Sequence, residues 1–277
     1  MITAVIVFVL FFAVQVVCGM AALLFSNIDK IGSELPLDQL SIQPTTMGIS
    51  LLVGEGILAF GLFWWFFKIE KPIRQRSIES PELNSIFKFK PLKRELYPQN
   101  IQWIKGFLAV IATLLIAIGV SGVIEHLNLT DNGTSELFNN MKDNPWCWLL
   151  MCFVGPLAEE LTFRVGILRS LYRIKINGLL SAAITALLFA LVHANLAQGI
   201  TAFLIGFLLG LMYLRTGNLQ LCLPTHILNN SVAVLLMFYP NISINIGFSS
   251  VFVIIGILLF ALAIQSKRSP IFINHHS

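Results

Sequence analysis

Six side chains in the second half of the chain have the types and spacing for hydrolytic chemistry: Glu159, Glu160, Arg164, His193, His226 and Asn230. All lie in stretches that are otherwise apolar, and ionisable groups at membrane depth are costly enough to be functional candidates. On a helix, residues four apart share a face, so Arg164 is placed to neutralise Glu160. Glu159 lies about 100° round the helix and faces a different neighbour. One carboxylate is then structural and the other free for proton transfer, with partial loss of water making it the stronger base. The competing reading is a buried ion-pair cluster that locks two helices together.

Phe189 and His193 repeat the four-residue spacing in LLFALVHAN, and His226 and Asn230 repeat it in PTHILNN. Taken alone, His193 equally suits a packing histidine bonded to a backbone carbonyl. Pro224 can kink or open the helix just ahead of His226. An imidazole and an amide converging there can donate hydrogen bonds to a developing oxyanion. Polar contact between helices is the alternative.

Positioning these groups requires membrane helices. The chain has 277 residues, 56% hydrophobic and 12% charged, against about 25% charged in a soluble domain. Runs of roughly 20 apolar residues predict an all-α, polytopic transmembrane bundle of about eight spans, near 2–25, 47–67, 101–123, 146–170, 179–195, 197–215, 219–239 and 243–265. Asp143, Asn144 and Pro145 mark the start of the fourth with a cap and a first-turn proline. Ile2 to Phe25 lacks a basic leader region and reads as a retained helix.

Basic residues fall on alternate loops: eight between Lys68 and Arg94, then Arg169, Arg173, Lys175, Arg215, Lys267 and Arg268, with Lys30 and Lys142 opposite. That bias predicts both termini in the cytoplasm. The organisation expected is residues 1–100, two spans plus a basic cytoplasmic loop, followed by a six-span catalytic core over 101–277 with its motifs at 145–239. Gly206 and Gly210 form a small-residue pair that reads as scaffold. Cys18, Cys147, Cys152 and Cys222 show no paired spacing and read as small buried hydrophobes. No nucleotide-binding glycine loop is present, and no nucleic acid is expected as a partner.

At about 1.5 Å per residue, Glu159 and His193 both come out roughly 22 Å from the cytoplasmic helix ends. Asn230 lies at roughly 18 Å and His226 at roughly 11 Å, so His226 requires a tilted or interrupted seventh span.

The pattern Glu159-Glu160-x-x-x-Arg164, Phe189-x-x-x-His193 and His226-x-x-x-Asn230, in this order on successive membrane helices, resembles the CAAX prenyl protease and bacteriocin-processing (Abi) family of intramembrane proteases. The resemblance covers about residues 145 to 239. It implies that Glu159 and His193 activate water against a peptide carbonyl, that His226 and Asn230 stabilise the oxyanion, and that Glu160 and Arg164 hold the site together. No cofactor is required in this reading. The alternative is zinc held by Glu159, His193 and His226, although no HExxH helix is present. The expected partners are the bilayer and a peptide or protein substrate, lipidated in some family members, and the expected location is a bacterial plasma membrane. Two other classes compete: a non-catalytic membrane immunity or interaction protein, and a transporter carrying protons on Glu159. No inverted repeat supports the second.

Overall fold

A computed structural model describes residues 2–30, 40–70, 102–127, 129, 133–239, 242 and 244–265. The basic loop beyond Glu70 and the residues Lys267 and Arg268 lie outside the described residues. The chain forms nine helices among these: α1 (Ile2–Ser26), α2 (Pro44–Glu70), α3 (Trp103–His126), the short α4 (Thr134–Met141), α5 (Pro145–Arg173), α6 (Gly178–Leu191), α7 (Leu196–Thr216), α8 (Cys222–Leu236) and α9 (Ile246–Ile264). No strand occurs among the described residues.

Six helices (α1, α2, α3, α5, α7 and α9) are long and apolar enough to cross a membrane. The two apolar helices α6 and α8 bring the number of membrane segments to the expected eight, but they are only 14 and 15 residues long. At about 1.5 Å per residue both fall short of a hydrocarbon core of about 30 Å. Each is shorter than its apolar run because polar residues take over the backbone at its end. Beyond Leu191 the chain turns through Ala194 at a φ of 51°, and the Asn195 side chain accepts the Gln198 N–H to cap α7. Ahead of Cys222, Thr216 and Asn218 hold the turn. Pro224 sits in the first turn of α8, where proline is tolerated, and no kink is needed there.

The expected cap of α5 is present: Asn144 Oδ1 accepts the Trp146 N–H at 2.9 Å, with Pro145 behind it. The helix is not uniform. Leu150–Val154 and Leu161–Leu168 are π-helical, on either side of an α-helical turn at Gly155–Glu160. Such insertions widen the helix and recur at functional sites.

Close packing follows small residues. A side chain at Gly119 would meet the Ser249 carbonyl at 2.6 Å, and one at Gly256 the Ala112 carbonyl at 2.9 Å, so α3 and α9 touch backbone to backbone. Gly206 and Gly210 let α7 lie directly on Ala186 and Ala182 of α6. Their scaffold role thus joins the fifth and sixth membrane segments. Bulky apolar residues such as Ile57, Phe60, Phe107 and Leu258 point outward, while Glu160, Arg164, Thr185, Thr225 and His226 are buried. All four cysteines are free and buried.

Candidate active site

The polar centre is built on α5. Glu160 and Arg164 are both fully buried, and Arg164 Nε stands 3.1 Å from Glu160 Oε2. The guanidinium also donates from Nη2 to the Gly206 carbonyl at 3.4 Å and stacks 5.4 Å from the Phe189 ring centre. The arginine therefore ties α5 to α6 and α7 while balancing one glutamate.

His226 comes in from α8, 3% exposed. Its Nδ1–H donates to Glu160 Oε1 at 3.0 Å, and its Nε2 faces Glu159 Oε2 at 3.4 Å. One imidazole thus bridges both glutamates. This corrects one expectation, since Glu159 and Glu160 do not face separate neighbours. The seventh segment is interrupted, as the position of His226 required: α8 begins only at Cys222, after the turn that follows Thr216.

The two glutamates nonetheless differ. Glu160 is locked by Arg164 and His226, while the Glu159 side chain keeps 17% of its surface exposed and has only the longer contact to His226 among the described residues.

His193 lies just past the end of α6, so it belongs to a turn and not to a helix face. Its Nδ1–H donates to the Phe189 carbonyl at 2.7 Å, which fixes the tautomer and leaves Nε2 as an acceptor. Among the described residues, the imidazole within ion-pair distance of Glu159 is that of His226, not that of His193. Phe189 links the two histidines, edge-on to His193 at 4.8 Å and to His226 at 5.8 Å. Asn230 lies one turn along α8 from His226. Its Nδ2 donates to the Met151 carbonyl at 3.0 Å, and its Oδ1 accepts from Asn229 at 3.2 Å. One of its two amide hydrogens is therefore committed to α5.

The donors suggested for zinc do not fit a metal. Among the described residues, no group of three or more His, Cys, Asp or Glu side chains is arranged to hold one.

Sequence reasoning missed a further polar pair. Glu55 on α2 is buried and accepts a hydrogen bond of 2.7 Å from Gln15 Nε2 on α1. The available signal was a carboxylate near the middle of an apolar run, with a glutamine near the middle of the run before it.

Fold and site together define an integral, multi-pass membrane protein with a buried acid–imidazole centre. The family described as Type II CAAX prenyl endopeptidase Rce1-like matches residues 142–232. The Bacillus subtilis (strain 168) protein named "Putative membrane peptidase YdiL" is 27% identical over 146 residues, which are 51% of this chain and 58% of that protein. The match thus spans less than two thirds of that relative. No solved structure matches the chain. Through residues 142–232 the chain is similar to the Rce1-like CAAX prenyl endopeptidases.

Proposed function

We propose that the protein is an intramembrane endopeptidase in which Glu159 is the general base. The observation that carries this reading is the asymmetry of the two glutamates: Glu160 is neutralised by Arg164 and fully buried, while Glu159 is partly exposed beside His226. In the reaction, a water O–H bond breaks as its proton passes to Glu159 and its oxygen bonds to the substrate carbonyl carbon. The acceptor nitrogen of His193 holds the water's second hydrogen. Negative charge on the former carbonyl oxygen is stabilised by the uncommitted amide hydrogen of Asn230 and by Nε2–H of His226, the ring acting as an imidazolium that donates from both nitrogens. The C–N bond then breaks, and the proton on Glu159 goes to the leaving nitrogen.

This scheme takes no metal. Its substrate is a peptide or protein segment at the bilayer, for which a prenylated C-terminus and a secreted peptide precursor are the two classes to assay. The family match and the membrane-peptidase relative support the reaction class. The test is cleavage of both peptide classes by purified protein, with and without chelator. Glu159→Gln is expected to lower kcat at least about a hundredfold, and His193→Ala to impair it strongly. Undiminished cleavage by both variants overturns the reading, and chelator loss reversed by zinc overturns its metal-free form.

A second reading is a non-catalytic membrane interaction or immunity protein. It is favoured by His193 and Asn230 each bonding a backbone carbonyl, which is what packing alone requires. Under that reading the biological phenotype survives Glu159→Gln.

A further inference from the structure

Glu55 lies eleven residues into α2, roughly 17 Å from its start, outside the family-matched region. Its Oε1 takes the Gln15 amide, but Oε2 is buried with no hydrogen-bond partner among the described residues. The ion pairs of the site reach Glu159 and Glu160, not Glu55. The free oxygen lies against Gly155, where an added Cβ would stand 3.2 Å from it. Gly155 begins the turn of α5 that ends in the glutamate pair. It precedes Glu159 by four residues, so the two share a face one turn apart. Glu55 is within electrostatic reach of Glu159.

Stability does not call for this carboxylate. A buried, half-partnered charge is a cost, and an apolar group of similar shape in its place is commonly neutral or better. Nor do α2 and α5 depend on it for their attachment, because Glu70 and Arg173 join the same two helices through a 2.7 Å ion pair.

We infer that Glu55 is a positioning residue for the hydrolytic site, acting through Glu159. Held by Gln15, its carboxylate, when ionised, repels that of Glu159 away from α2 and toward His226. The inference rests on the reading of Glu159 as the general base. Repulsion between like charges is strong where water is scarce, and His226 Nε2 at 3.4 Å offers the attractive place to settle. Without the push, Glu159 spreads over several rotamers, and a base misplaced by an ångström slows the chemical step without weakening substrate binding.

The experiment is peptide cleavage by the purified full chain at pH 8, comparing Glu55→Gln and Glu55→Asp with the unaltered protein, with thermal unfolding measured beside it. Glu55→Gln keeps an acceptor for Gln15 and removes the charge. It is expected to lower kcat roughly tenfold to a hundredfold, with KM and the thermal midpoint unchanged, and Glu55→Asp is expected to recover most of the loss. An unaltered kcat in Glu55→Gln, a loss that tracks the thermal midpoint, or no recovery in Glu55→Asp overturns the inference. Glu159→Gln is run in parallel. If that variant is inactive while Glu55→Gln is normal, this inference alone fails, and if Glu159→Gln cleaves normally, the peptidase reading fails with it.

Discussion

Arg164 shows how much one buried side chain arranges. It balances Glu160, reaches the Gly206 carbonyl and lies over Phe189, whose ring touches both histidines. Arg164→Ala leaves the Glu160 charge buried with only an imidazole beside it, and breaking such a pair costs about 3–5 kcal/mol. Unfolding in detergent should show that loss, and Arg164→Lys should recover only part, since an ammonium lacks the fork that serves two acceptors and an aromatic face. At this scale the sequence was partly legible. The i, i+4 spacing located the Glu160–Arg164 pair correctly. It could not show that His226 serves both glutamates, because that depends on the turn of one helix against another. Phe189 entered the reading only as a motif position, yet it is the ring on which Arg164, His193 and His226 converge.

Helices were legible where hydrophobic runs were long and uniform. The eight apolar segments sit close to their expected limits, and Asn144 caps α5 as its position implied. What escaped was irregularity. A π-helical stretch has the same composition as an α-helical one, so Leu150–Val154 and Leu161–Leu168 left no trace in the apolar pattern. Likewise Val192 to Asn195 looked like the end of a helix and is a turn. The contact of α6 with α7 is the element-scale test. A Cβ at Gly206 would approach Phe189 Cδ1 to 2.9 Å, so Gly206→Val should cost about 1–3 kcal/mol by overpacking and drive the Phe189 ring toward the imidazoles. We expect activity to fall by more than the thermal midpoint accounts for. Gly210→Ala, whose nearest contacts are 3.2 Å and 3.3 Å, should be milder by both measures.

For the molecule as a whole, the motifs drew attention to residues 145–239 and left the part played by the first two helices open. The structure packs α1 and α2 against α5 and places Glu55 and Gln15 beside the motif-bearing turn. Two isolated polar residues in apolar runs carry no periodic signal, and only the folded arrangement joins them. Orientation is a separate question that charge addresses: the basic residues on alternate loops predict both termini in the cytoplasm. Reporter fusions at each end should be active only for a cytoplasm-dependent reporter, and an insertion after Leu127 should give the opposite result. A periplasmic signal from either terminus would reverse that assignment.

The clamping of His226 between two acids sets a sequence of events. A ring held at both nitrogens can accept a newcomer only by letting go of something, and the two grips are unequal, 3.0 Å at Nδ1 and 3.4 Å at Nε2. The looser grip is the one on the side of the solvent-touched acid. Under the peptidase reading, the developing charge therefore meets the ring at Nε2, while Nδ1 stays anchored on Glu160.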